Sequence, residues 1–183
     1  MNYKLLINKI IIIFIFLKII TFSNLLFSQG FSNFEEQLLP EIILFDENKI
    51  KTNLSSYLKN SNHRLTIINF WATWCKPCLD EMPSLNKLQA NKKFKSLKII
   101  PINVGQEGLS KLVIFFDKLN IDNLEIFFDE TVNLPKKFSL RGLPTSILFN
   151  KNGDEFARII GAIDFSDDQF IEWLLSYEQR QLK

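Results

Sequence analysis

The run LTIINFW, residues 65 to 71, is almost continuously apolar and rich in β-branched side chains. Such a run predicts a strand buried on both faces. Lys76 to Ala90 follows with apolar residues at Leu79, Met82, Leu85 and Leu88, a helical stripe. Pro83 lies inside it, where the missing N–H predicts a kink. LKIIPINV, residues 97 to 104, reads as the next strand. Gly108 to Leu119 reads as a helix with Leu112, Phe115, Phe116 and Leu119 on one face.

EIFFD then suggests a short strand and Thr131 to Phe138 a short helix, with Pro135 near its first turns. TSILFN and EFARIIG flank Asn152-Gly153, a strong hairpin signal. A final helix is predicted over Ser166 to Tyr177, with Ser166 as its cap and Asp167 and Asp168 suiting the positive end of its dipole. Upstream, IILFDENKIKT suggests two short strands around residues 46 to 49, and LSSYLKN a short helix. Strands and helices alternate, and a hairpin plus helix close the chain. The expected class is α/β, a sandwich around a mixed sheet, with an added N-terminal β-hairpin.

The first 30 of the 183 residues follow another pattern. Lys4 and Lys9 precede IIIFIFL, Lys18 interrupts, and the stretch ends in Ser28-Gln29-Gly30, with no acid before Glu35. That is the profile of a secretory signal. Residues 5–27 are also long enough to serve as an uncleaved membrane anchor, at the cost of placing Lys18 near mid-span. Both readings put the rest of the chain outside the cytoplasm. The organisation expected is therefore residues 1–30 as signal or anchor, 31–40 as a lead-in ending at Pro40, and 41–180 as one domain.

This division changes the charge picture. The whole chain carries 22 Lys and Arg against 20 Asp and Glu, but three of the lysines lie in the leader. The remainder is close to neutral and shows no basic stripe, which argues against nucleic acid as a partner.

Both cysteines fall in FWATWCKPC, as Cys75 and Cys78. A bridge three positions apart closes too small a loop to be a useful staple. A zinc site needs about four ligands, and the only histidine, His63, sits in a polar turn where a solvated role is expected. Thiol chemistry is the favoured reading, with a metal site shared between chains and two inert buried thiols as the alternatives. Cys75 lies where a buried strand hands over to a helix, and backbone N–H groups with the helix dipole favour a thiolate there. Lys76 could add to that effect. Cys78, one turn on and facing the Leu79–Met82 side, is placed to attack a mixed disulfide formed at Cys75.

The motif W-C-x-P-C between a β-branched strand and a helix resembles the active site of the thioredoxin superfamily. The longer run NFWATWCKPCLDEMPSL, residues 69 to 85, resembles the exported, often membrane-anchored branch that contains TlpA, ResA and the cytochrome c maturation thioredoxin CcmG. A second stretch, GLPTSILFNKNGDEFARIIG, supports it and with GAIDF looks nearest to TlpA. The resemblance implies a thioredoxin-like three-layer α/β/α sandwich. It implies Cys75 as attacking thiolate, Cys78 as resolving thiol, and Pro144 as a cis-proline facing the pair. Trp74, Leu143, Pro144 and Thr145 would meet an extended substrate segment. Glu81, three positions after Cys78, would handle protons. Asn69 stands where cytoplasmic thioredoxins carry a buried aspartate, and an amide cannot take a proton, so the task shifts to Glu81.

The expected activity is disulfide reduction outside the cytoplasm, in the periplasm, with a membrane protein as electron donor. Expected substrates are protein disulfides in cytochrome c or cytochrome oxidase copper-site maturation. No cofactor beyond the disulfide and no metal is expected. Two alternatives stay open. One is a thiol peroxidase of the peroxiredoxin type, although Ala72 stands where that family places threonine. The other is a copper-binding chaperone, although the C-x-x-x-C spacing and downstream histidine of the Sco proteins are missing.

Overall fold

The computed structural model describes residues 43–46, 50–54, 56–57 and 62–180. The signal or anchor stretch and the 31–40 lead-in lie outside the described residues. Seven strands form one sheet: β1 (Ile43–Asp46), β2 (Lys51–Asn53), β3 (Leu65–Trp71), β4 (Leu97–Asn103), β5 (Phe127–Phe128), β6 (Thr145–Asn150) and β7 (Glu155–Ile160). Among the described residues, four helices with full ranges accompany them: α1 (Lys76–Gln89), α2 (Leu109–Lys118), α3 (Leu134–Lys137) and α4 (Asp168–Arg180). Residues 54, 56 and 57 are also helical.

The strand order is β2-β1-β5-β4-β3-β6-β7. β3/β4 and β4/β5 are parallel, and the remaining pairs are antiparallel, so the sheet is mixed. β1 and β2 pair from Ile43↔Asn53 to Phe45↔Lys51; the residues between them, 47–49, lie outside the described set.

All seven residues of β3 are buried, because it is central and both faces are covered. Alternation divides them between two cores. Leu65, Ile67 and Trp71 join Met82, Leu85 and Leu88 of α1, Leu112 and Phe116 of α2, and Ile171 and Leu174 of α4. Ile68 and Phe70 join Leu134, Phe138 and Leu54 on the other face. Helices on both faces of the sheet make the three-layer α/β/α sandwich of thioredoxin-like proteins.

Local expectations hold with two corrections. α1 carries Pro83 within its helical span. The last helix starts at Asp168, and Asp167 caps it in place of Ser166: Asp167 Oδ1 accepts from the N–H groups of Gln169 (2.9 Å) and Phe170 (3.1 Å). The Ser166 hydroxyl instead donates to Asp164 Oδ1. Finally, His63 is half-buried rather than solvated, with its ring centroid 6.5 Å from that of Tyr57.

Candidate active site around Cys75 and Cys78

Strand β3 ends at Trp71, and the chain turns through residues 72–75, where the Cys75 N–H donates to Ala72 O at 3.1 Å. Cys75 is the N-cap of α1, in extended backbone (φ −87°, ψ 94°), and its sulfur accepts from the Cys78 N–H at 3.3 Å. Pro77 occupies the first helical turn, where its missing N–H costs no intrahelical bond. The two cysteines form a disulfide with an S–S distance of 2.06 Å. Cys78 is fully buried and Cys75 retains 5% exposure. Cys75 is thus the less buried of the two, and its sulfur sits at a helix N-terminus, where backbone N–H groups favour negative charge.

The Lys76 ammonium pairs with Asp80 one turn on, and both side chains are mostly solvent-exposed.

Trp74 is 69% exposed beside the pair. Across from it, the Leu143–Pro144 peptide bond is cis. Leu143 packs on the core cluster that contains both cysteines. The loop is tied down at both ends: Thr145 Oγ1 donates to Gly142 O at 2.8 Å, and the Gly161 N–H donates to Pro144 O at 2.9 Å. Phe70 near the end of β3 pairs with Thr145 at the start of β6, so the 72–75 turn and the cis-proline loop leave the same end of the sheet.

Glu81 is not the solvated helix carboxylate that its class would suggest. It is 3% exposed and shares the inward face of α1 with Cys78, Met82 and Leu85. Asn69 Nδ2 donates to Glu81 Oε1 at 2.8 Å, and the Ile163 N–H approaches Oε2 at 3.4 Å. Burial pushes its carboxyl up to about 7, against the smaller opposing effects of those two donors. A groove of about 400 Å³, lined by Glu81, Ser84, Lys87, Ile163 and Asp164 among others, gives this carboxyl a way to water. A carboxyl poised near neutral pH can both accept and release a proton there.

Three contributors were not identified from the sequence. Ser146 Oγ accepts from Asn69 Nδ2 at 2.9 Å, completing an Asn69–Glu81–Ser146 network across β3, α1 and β6. Ser84 Oγ accepts from the Phe165 N–H at 3.0 Å and helps hold the 161–165 segment against α1. Glu107 lies on the opposite side. Its Oε1 accepts from the Thr73 N–H at 2.9 Å and from the Thr73 hydroxyl. Strand register offers a signal for Ser146, since it pairs with Asn69. Nothing in the local pattern offers one for Glu107.

The AhpC/TSA family model matches residues 35–154. The chain belongs to that family. Among curated relatives, it is 33% identical over 117 residues to thiol-disulfide oxidoreductase ResA of Geobacillus kaustophilus, covering 60% of this chain and 66% of that protein. It is 31% identical over 149 residues to thiol-disulfide oxidoreductase ResA of Bacillus cereus strain ATCC 10987, covering 80% and 83%. Within the AhpC/TSA family it therefore stands with the thiol-disulfide oxidoreductases. Among solved structures, StoA of Bacillus subtilis has the same fold, with a TM-score of 0.58 at 24% identity over 73% of this chain and 95% of that one. A thiol-disulfide oxidoreductase from Bacteroides fragilis gives a TM-score of 0.62 at 22% identity, over 77% and 99%.

Proposed function

We propose that this family member works outside the cytoplasm as a disulfide reductant. In this reading the reduced Cys75 thiolate attacks a disulfide of a partner protein. One substrate sulfur leaves as a thiol, and the other is held as a mixed disulfide. Cys78 then attacks Cys75, releasing the second substrate thiol and closing the Cys75–Cys78 bond. Two electrons have passed to the substrate, and its two sulfurs take up two protons. Glu81, with a carboxyl near neutral pH, is suited to take the Cys78 proton in the second step. Trp74, Leu143, Pro144 and Thr145 would form the surface that holds an extended substrate segment, with residue 143 offering its backbone.

The observation that carries this reading is the disulfide between a slightly exposed N-capping Cys75 and a fully buried Cys78. That asymmetry matches an attacking and a resolving sulfur. The substrates we favour are disulfides in apocytochromes c or in the copper route to cytochrome oxidase. Re-reduction would need a membrane protein that brings electrons across, and residues 5–27 could hold the chain near it if they are not removed. The disulfide is then the only redox group the reaction needs.

The test is the reduction potential of the pair in the full-length chain, equilibrated in thiol/disulfide buffers and followed by the fluorescence of Trp71 and Trp74. A value at or below about −220 mV is expected of a reductant. A value near about −120 mV would make the protein an oxidant and overturn the proposal. A peroxidase would show a different signature, peroxide reduction that survives loss of Cys78.

A further inference from the structure

Glu107 lies 34 positions after Thr73 in sequence, yet the chain is shaped to bring the two together. Gly105 leaves room for that contact, because a Cβ at residue 105 would overlap the Glu107 carboxylate and displace it. Gln106 adopts a left-handed backbone (φ 63°), which non-glycine residues rarely do. Asn103 Oδ1 accepts from the Gly105 N–H at 3.1 Å and fixes the start of the loop. The outcome is one carboxylate oxygen gripping both donors of Thr73, two residues before Cys75.

The same carboxylate stays charged. Burial pushes its acidity in the neutral direction. The Thr73 hydroxyl and N–H, its own backbone N–H and the Asn103 side chain together outweigh that and hold the carboxyl below the usual range. Its second oxygen, Oε2, is buried without a hydrogen-bond partner among the described residues. The chain from Thr73 to Cys75 spans at most about 7 Å. A fixed negative charge hydrogen-bonded to the start of that segment works against a thiolate at its other end, opposite in sign to the helix end.

We propose that Glu107 is a positioning residue for the Cys75–Cys78 chemistry, one that fixes the 72–75 turn and raises the energy of the Cys75 thiolate. A less stable thiolate means a less stable reduced form and hence a more reducing pair. The helix end and Glu107 then act in opposition on one sulfur. Other charged groups on the surrounding elements are Glu81 and the Lys76–Asp80 pair on α1, and exposed Arg141 on the cis-proline loop. None of them shares the Thr73 contact.

The inference rests on Cys75 being the attacking sulfur, and the test separates the two claims. The reduced full-length chain is alkylated across a range of pH, with the modified sulfur identified by mass spectrometry. First alkylation at Cys78 would remove the premise. With Cys75 modified first, Glu107→Gln keeps an acceptor for Thr73 but loses the charge. It is expected to raise the thiolate fraction below the midpoint about threefold to tenfold. At pH above the thiol midpoint, the dithiol/disulfide constant should move by the same factor toward an oxidant, roughly 15–30 mV for a two-electron couple. The rate on the alkaline plateau should fall by no more than about threefold in Glu107→Gln, as expected of a less basic thiolate, and change further in Glu107→Ala, which also frees the turn. Thr73→Val removes one donor and keeps the charge, so its midpoint should match the wild type. A Glu107→Gln profile that overlays the wild type, or a Thr73→Val midpoint that moves as far, overturns the proposal.

Discussion

Two glutamates are hydrogen-bonded to the strand and turn that lead into the cysteine pair, Glu81 to Asn69 and Glu107 to Thr73, and their surroundings push them in opposite directions. Glu81 sits on the inward face of α1 with one short hydrogen bond, from Asn69, and burial wins: its carboxyl rises to about 7. Glu107 sits on a loop, where Thr73 gives it two donors, and the donors win: its carboxyl falls below the usual value. Glu81 is the more deeply buried of the two and is offered fewer donors, whereas Glu107 is less buried and is offered more. The balance of burial against hydrogen bonds to the charged form sets each direction. The site thereby holds one acid suited to carry a proton and one suited to remain an anion, a division of labour set by environment.

The largest effect is expected from loss of the proposed attacking sulfur. Cys75→Ser should reduce disulfide-reductase turnover to the uncatalysed background while the fold survives, measured with a model protein disulfide and by circular dichroism. Next comes Glu81→Gln. It should lower turnover about a hundredfold, at the lower end of what a positioned acid–base group supplies. It should also flatten the pH dependence near 7. An equal loss in Glu107→Gln would erase the comparison, since that variant keeps its Thr73 contact and gives up only its charge.

Stability sharpens the same contrast. The Glu81 carboxyl has a folded-state value near 7 against an ordinary 4.5, so between those limits the folded state binds more protons than the unfolded one. Stability from this group is full below about pH 4.5 and is lost as pH rises through 7, by of order 3 kcal/mol. Denaturant titrations of wild type and Glu81→Gln at pH 5 and pH 8 should differ by that pH-dependent amount. For Glu107 the sign reverses, because its folded-state value is depressed. Its stabilisation is present above the ordinary carboxylate range and is lost on acidification.

Smaller effects follow. Gly105→Ala should push the Glu107 carboxylate off Thr73. The clash is with the end of a flexible side chain, so a stability loss within about 1 kcal/mol is expected. The Cys75 midpoint should shift in the direction of Glu107→Gln. Lys76→Ala breaks an exposed ion pair and should change stability by less than about 0.5 kcal/mol, with the Cys75 midpoint unmoved.

The difference between the two acids also explains what the sequence could reveal. The strand–turn–helix that carries Cys75 and Cys78 is legible because its apolar run and its helical stripe are both local patterns. Glu81 is legible as a position, and its burial could have been read too, since it shares a face with Cys78, Met82 and Leu85. What the pattern lacks is the tertiary partner: Asn69 and Ser146 arrive from two other strands. Glu107 is not legible at all. Its role depends on a left-handed Gln106 and on contact with Thr73 across the site, and neither leaves a periodic trace. Ser166 was a fair cap by type, but Asp167 offers an oxygen to two N–H groups at once and takes the position.

The central claim is tested most directly by titrating the two carboxyls individually. Carbon-13 NMR of the glutamate side-chain carboxyls in the oxidised full-length chain, assigned through Glu81→Gln and Glu107→Gln, reads each value. The account predicts a Glu81 midpoint near 7 and a Glu107 midpoint below 4.5. Two carboxyls titrating together at the ordinary value would contradict it.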